Sequence, residues 1–349
     1  MMSTNIPTAQ PIVDSLGRSL RDLRISVTDR CNFRCVYCMP REVFGPGYAF
    51  VPREDLLTLE EVARIAKVFA MIGMRKVRIT GGEPLIRRNL EHLIEMIDGI
   101  DGVEDISLTT NGSMLSSPRA SALRKAGLKR LTVSLDAMDD ATFKYINDVD
   151  YPVSRVLDGI ENARTAGFSD IKVNAVVRRG FNDHAVLDLV KHFRHTGCIV
   201  RFIEYMDVGE TNGWNLDDVI PASDLVREID AQYPLEPVSP NYRGEVAKRW
   251  RYRDGAGEIG FITSVTQSFC GECSRARLSA VGEVYTCLFA TQGHDLRELL
   301  RCGASDTQLL EAVSELWQGR SDRYSELRAM APSMPISGQP KVEMSHIGG

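Results

Sequence analysis

Six short runs rich in β-branched residues alternate with longer helical patterns over the first two-thirds of the chain. The strand candidates are Arg24–Thr28, Lys76–Thr80, Ile106–Thr110, Arg130–Leu135, Ile171–Val177 and Ile199–Tyr205. Between them lie helical stretches at Leu59–Ile72, Leu90–Ile97, Arg119–Ala126, Val153–Ala166 and Ala185–Phe193. Repeated strand–helix alternation implies parallel strands joined by right-handed crossovers. The repeat therefore predicts an α/β fold, best an open or partial β/α barrel. A flat doubly wound sheet is the runner-up. Thr58, followed by Glu60 and Glu61, suits a helix start, because its hydroxyl can cap free N–H groups. Gly73, Gly127, Gly167 and Gly197 stand where helices should stop.

The pattern changes after Asp207. Residues 207–219 are polar and Gly-rich, and Pro234, Pro237 and Pro240 follow. The later runs Ala247–Tyr252, Ile259–Ile262, Arg277–Ser279 and Val284–Thr286 look like short antiparallel strands, followed by a helix over Asp306–Trp317. This divides the chain into an N-terminal extension (1–19), a barrel (20–215), a smaller C-terminal region closing it (216–335) and a tail (336–349).

At net charge −5 the protein is not a globally basic nucleic-acid binder, although a local basic pocket remains open. No run of 18 apolar residues predicts a membrane span, and residues 1–15 lack an export-type apolar core. A reducing cytoplasm is expected, where eight cysteines serve as thiols or metal ligands more readily than as disulfides.

Six of those cysteines form two triads. Cys31, Cys35 and Cys38 follow a C-x3-C-x2-C spacing; Cys270 and Cys273 form a C-x2-C pair, with Cys287 thirteen residues on. Structural zinc wants four ligands, and each triad supplies three, with His294 and His92 the nearest histidine candidates. Three thiolates suit a four-iron cluster with one iron open to an outside ligand. Spacing alone leaves cluster, zinc and chance grouping in play, with the cluster favoured. Cys198 and Cys302 stand alone and read as buried structural thiols.

The first triad, with Tyr37 before its last cysteine, is the signature run of the radical S-adenosylmethionine (SAM) enzymes, and it follows the first strand as it does in them. The segment Thr80-Gly-Gly-Glu-Pro84 resembles that superfamily's GGEP turn. The run from Arg21 to Cys31, the second triad, the segment Cys273-Ser-Arg-Ala-Arg277 and a chain ending in Gly348-Gly349 narrow the likeness. Together they resemble the GTP 3′,8-cyclase family of molybdenum cofactor biosynthesis, from about Leu20 to the end. The fold this implies is the partial (β/α)6 TIM-type barrel of the radical SAM enzymes.

The resemblance implies two [4Fe–4S] clusters, on Cys31, Cys35 and Cys38 and on Cys270, Cys273 and Cys287, with SAM as cofactor. It implies SAM contacts at Tyr37, Gly82, Ser134 and Met206. GTP contacts follow at Arg24, Arg78, Thr109, Lys172, Arg275, Ala276 and Arg277, and also at Lys76 and Arg201. No Walker P-loop occurs, so the phosphates are not cradled that way. Arginines on several barrel strands can instead converge on one site. Gly348 and Gly349 would thread into it, whereas the ordinary meaning of terminal glycines is tail flexibility. The implied chemistry is a lyase reaction in which a 5′-deoxyadenosyl radical removes hydrogen from ribose C3′ of GTP. An external electron donor is needed, and cyclic pyranopterin monophosphate synthase acts next. Monomer and homodimer both remain open, and no nucleic acid or membrane partner is expected. Competing readings are another radical SAM enzyme with an auxiliary cluster, such as a peptide-modifying one, and a non-enzymatic iron–sulfur carrier or zinc module.

Overall fold

The computed structural model describes residues 12–330 and 340–349; residues 1–11 of the expected extension and 336–339 of the expected tail lie outside them. Six strands form in the expected places: β1 (Asp22–Ser26), β2 (Lys76–Thr80), β3 (Asp105–Thr110), β4 (Arg130–Ser134), β5 (Ile171–Val177) and β6 (Ile199–Glu204). Each pairs in parallel with the next. The helices between them are α1 (Leu59–Met71), α2 (Leu90–Asp98), α3 (Ser117–Lys125), α4 (Asp140–Asn147), α5 (Val153–Thr165) and α6 (Val186–Phe193). At the start of α1 the Thr58 hydroxyl accepts from Glu61 N and the Glu61 carboxylate accepts from Thr58 N, closing a capping box.

Side chains alternate across each strand, and the two faces differ in chemistry. Leu23, Ile25, Val77, Ile79, Ile106, Leu108, Leu131, Val133 and Val173 are all but fully buried toward the helices. Val62, Ile65, Ala66 and Phe69 of α1 join them in one continuous core. Each such side chain contributes roughly 1.5–3 kcal/mol by leaving water. The alternate positions, among them Arg24, Arg78, Thr109, Lys172 and Arg201, are polar and face the hollow.

The C-terminal strands do not make the separate antiparallel group expected. After α7 (Ala222–Gln232) come β7 (Leu235–Val238), β8 (Lys248–Tyr252), β9 (Glu258–Ile262), β10 (Arg275–Leu278), β11 (Glu283–Tyr285) and β12 (His294–Asp295). β9 joins β6 in parallel and β10 joins β1 in parallel; on their other edges β9 pairs antiparallel with β8, and β8 with β7, while β10 pairs antiparallel with β11, and β11 with β12. The order is β12-β11-β10-β1-β2-β3-β4-β5-β6-β9-β8-β7, and the sheet stays open. Pro237 fits because β7 is the outermost strand, where a missing N–H costs no ladder bond.

The barrel is therefore not closed by hydrogen-bonded strands. Residues 263–274 cross its gap instead. They start at the carboxylate of Glu204, the last residue of β6, which accepts from Val265 N and Thr266 N at 2.9 Å each. They finish at Ser274, whose carbonyl accepts from Arg21 N and Asp22 N at the foot of β1. Beyond β12 come α8 (Arg297–Arg301), α9 (Asp306–Gln318), α10 (Tyr324–Met330) and α11 (Met344–Ile347). α9 packs on α1, tied by Arg64 to Asp306 at 2.8 Å.

Candidate active site

The first cysteine loop hangs between β1 and α4. Phe33 anchors it, buried against Phe143 and Tyr151 with ring centroids 6.2 and 5.6 Å away. Arg34 N and Val36 N donate to the carbonyls of Asn147 and Ile146, and Cys38 N and Met39 N both turn back to Cys35 O. All three thiols are free and half-buried. Burial pushes Cys31 up to about 11 and raises Cys35 and Cys38 well above the usual thiol range too. Three such neighbouring thiols ionise together only when a cationic group binds them, which is how a metal cluster acts. The donor set therefore fits the expected cluster.

The Gly-Gly-Glu-Pro turn packs directly on this loop. Gly82 N donates to Thr28 O at 2.7 Å, and a Cβ at Gly82 would lie 2.6 Å from the Arg30 carbonyl carbon, so only glycine fits. Glu83, quoted in the motif but given no role, is 1% exposed. Its carboxylate accepts from Thr110 Oγ1 and Asn111 N at 2.7 Å and from Leu85 N at 3.0 Å. Burial pushes it up to about 7 against those three donors. The Asn111 amide stands 3.8 Å from Cys31 Sγ. Asp136 went unread in the sequence too: it accepts from Tyr37 Oη at 2.7 Å and from Val176 N at 2.8 Å, and burial lifts it to about 6. The Tyr37 hydroxyl is thus already engaged. Ser134 sits at the end of β4 opposite Asn174 of β5.

Inside the hollow, strand register gathers the cations. Arg24 pairs with Arg277 on one side and with Arg78 on the other, which sets three arginines at one level across β10, β1 and β2. Burial and then Arg277, Arg78 and Arg275 all disfavour the Arg24 charge. Arg201 falls to about 9 and Arg277 to about 10, burial again leading. Such crowding favours a bound polyanion. Two expected cations are partnered: Lys172 Nζ lies 2.5 Å from Asp170, and Lys76 Nζ lies 3.4 Å from the centre of the Tyr242 ring. Thr109 Oγ1 is buried without a partner among the described residues and faces the hollow beside Arg24, Arg78 and Met206. Asn174, not singled out in the sequence, lines the same cavity and accepts from Arg201 Nε at 2.9 Å.

The second triad lines this cavity too. Cys270, Cys273 and Cys287 share it with Arg24, Arg275, Arg277 and Gly349. Burial opposes the Cys273 thiolate, but Arg275 and Arg320 outweigh it and hold Cys273 down at about 6. Burial and Asp322 push Cys287 up to about 12. Ala276 is fully buried, so only its backbone lies between the two arginines. Among the described residues no three His, Cys, Asp or Glu side chains are gathered closely enough to hold a single metal ion. Cys198 is buried as expected; Cys302 is exposed, because it follows α8 at the surface.

The tail reaches the site. Arg277 Nη1 donates to Gly348 O, and Gly348 holds φ +76° with its missing Cβ pointed at Thr80 Cγ2. Upstream, Lys341 Nζ donates to Asp207 O at 2.7 Å and Glu343 accepts from Glu210 N and Thr211 Oγ1 at 3.0 Å each.

A parallel half-barrel with a three-thiol loop after β1 and a glycine turn after β2 defines a radical SAM protein. The superfamily's sequence pattern matches residues 25–193, and a "Molybdenum Cofactor Synthesis C" pattern matches residues 198–326. The solved structure of Streptococcus suis SuiB bound to S-adenosylmethionine shares the fold at a TM-score of 0.60, with 15% identity, over 84% of this chain and 68% of that one. The GTP 3′,8-cyclase of Acidothermus cellulolyticus is 54% identical over 97% of this chain and 99% of its own length. That of Staphylococcus epidermidis is 48% identical, again over 97% of this chain and 99% of its own. The chain belongs to the GTP 3′,8-cyclase family.

Proposed function

We propose that the protein converts GTP to (8S)-3′,8-cyclo-7,8-dihydroguanosine 5′-triphosphate in the first step of molybdenum cofactor biosynthesis. The observation that carries this reading is the arginine rank Arg277–Arg24–Arg78, at one level of a hollow that the second cysteine triad also lines. Cys31, Cys35 and Cys38 would hold one [4Fe–4S] cluster, and Cys270, Cys273 and Cys287 a second. When bound, the reduced first cluster with SAM supplies the radical that takes hydrogen from ribose C3′.

The chain's own residues position and shield. Gly82, Ser134 and Met206 would line the SAM place. Tyr37, its hydroxyl fixed by Asp136, contributes its ring and backbone there. Arg24, Arg78, Arg275 and Arg277 hold the triphosphate by charge-assisted hydrogen bonds, with Lys76, Lys172 and Arg201 below them. Thr109 offers its unpartnered hydroxyl to the nucleotide, and the Ala276 backbone lies against it. Gly348 and Gly349 cover the reacting ribose. Forming the C3′–C8 bond would take one further electron and one proton at the base, with an external donor as the ultimate electron source; Cys270, Cys273 and Cys287 would hold the group beside the base that could relay it.

The barrel spans residues 20–215 and the C-terminal region 216–335, with the tail beyond. The protein works in the cytoplasm, consistent with no described helix being long and apolar enough to cross a membrane. Its product passes to cyclic pyranopterin monophosphate synthase. Anaerobic turnover with SAM and each of GTP, ATP and CTP tests the reading. A cyclised, 7,8-dihydro product from GTP alone is expected; SAM cleavage with no nucleotide product contradicts it.

A further inference from the structure

Residues 12–19 precede the barrel. They fold as a tight hairpin, bridged between Val13 and Ser19, and two of its side chains go inward. The Asp14 carboxylate is completely buried, and Arg18 nearly so. Asp14 accepts from Leu16 N at 3.0 Å, Arg18 N at 2.8 Å and Arg18 Nε at 2.6 Å. It also accepts from Arg320 Nη1 at 3.2 Å, although that residue is 306 positions away. Trp317 completes the enclosure: its Nε1 donates to Arg18 O at 3.0 Å, and its ring lies 4.6 Å from the Arg320 guanidinium.

The two guanidinium groups reach past the carboxylate. Arg18 Nη1 donates to the Cys270 carbonyl at 2.8 Å. Arg320 Nη1 donates to the Cys273 carbonyl at 2.7 Å, and its Nε to the carbonyl of Thr286, the residue before Cys287, at 3.1 Å. One buried ion triad therefore grips the backbone at or beside each cysteine of the second triad. Arg18 Nη2 is also buried, and it has no partner among the described residues. Two buried guanidinium groups face one fully buried carboxylate, Asp14, and a second, Asp322, that lies 3.5 Å from Arg320 Nε and is a third exposed; solvent screens the exposed one, so buried positive charge remains beside the three thiols, which an anionic thiolate-bound group would relieve.

We propose that Asp14, Arg18 and Arg320 are the positioning residues of the second cluster. They fix the spacing of Cys270, Cys273 and Cys287, and their excess positive charge raises the cluster's reduction potential. The proposal rests on the second-cluster reading above. It gives the N-terminal hairpin a task that the barrel sequence does not reveal.

The test uses full-length protein reconstituted anaerobically. Iron and sulfide content, EPR spectra and the midpoint potential of each cluster are measured, with SAM cleavage as the internal control for the first cluster. Wild type is expected to hold on the order of eight irons per chain. Arg320→Gln removes the shared fork, and should drop to about half that iron, lose the second cluster's EPR signal and still cleave SAM. Arg18→Gln removes one of the two charges while the Arg320 fork still holds the Cys273 and Thr286 carbonyls. It should keep full iron while the second cluster's potential shifts downward and the first cluster's stays in place. Wild-type spectra and potentials in both variants overturn the proposal. So does joint loss of both clusters in Arg320→Gln, because the triad would then support the fold in general. A wild type holding only about four irons overturns the second-cluster reading itself.

Discussion

Arg277 donates a hydrogen bond to the carbonyl oxygen of Gly348, joining two residues 71 positions apart in the interior of the hollow. The side chain is 4% exposed, so it is not part of a solvated strand face, which is the ordinary place for an arginine in a short strand. One end of Arg277 holds the tail, while Arg24 and Arg78 stand level with it across β1 and β2.

Arg277→Ala is expected to leave both clusters and the melting temperature near wild type, because it relieves a crowd of like charges. It should slow GTP conversion tenfold to a hundredfold, as expected for the loss of a charge-assisted hydrogen bond of roughly 1.5–3 kcal/mol. Anaerobic turnover at saturating SAM, with iron content measured on the same sample, checks this. Near-normal turnover would remove Arg277 from substrate binding, and a large loss of iron would make it structural.

Gly348→Ala adds a methyl that points at Thr80 Cγ2, on a backbone at φ +76°. The tail should leave its seat. SAM cleavage should persist while cyclised product falls by at least about tenfold, and the melting temperature should move little, since the change is at the chain end. Uncoupled SAM cleavage and product formation, compared side by side, decide it.

The cysteine triads should separate in function. Cys35→Ser should abolish SAM cleavage. Cys273→Ser should keep it and lose the cyclised product. Normal product from Cys273→Ser would mean that the second triad is not at the substrate.

Lys172 brings in pH. Burial, helped by Arg130 and Arg201, lowers it to about 8 despite Asp170. Its charge is present below that pH and lost above it. If that charge holds phosphate, kcat/KM for GTP should fall by up to about tenfold per unit above pH 8. Lys172→Arg should flatten that limb, since a guanidinium stays protonated. An unchanged alkaline limb in Lys172→Arg would assign the fall to another group.

The six barrel strands were legible because each is a β-branched run, the first five lead into helical stretches, four of those end at a glycine, and such signals are local. What joins β9 to β6 and β10 to β1 is not local, so the sequence suggested an antiparallel group where the chain crosses the barrel gap. α4 and α7 were missed because they bury only narrow apolar faces, Phe143 and Ile146 in one, Ala222, Leu225 and Ile229 in the other. The site was legible where residues fall in a motif, as with both cysteine triads and Gly82. Glu83 and Asp136 were passed over because an acidic residue at a strand end is ordinarily solvated, and only the fold shows each carboxylate enclosed by donors. The pairing of Asp14 with Arg320 across the whole chain has no sequence signal at all.

The most direct test follows deuterium from GTP labelled at ribose C3′, under anaerobic turnover with SAM. The account predicts that the label appears in 5′-deoxyadenosine, in step with formation of a 3′,8-cyclised product. Cyclised product without label in 5′-deoxyadenosine, or label transfer with no C3′–C8 bond formed, would contradict it.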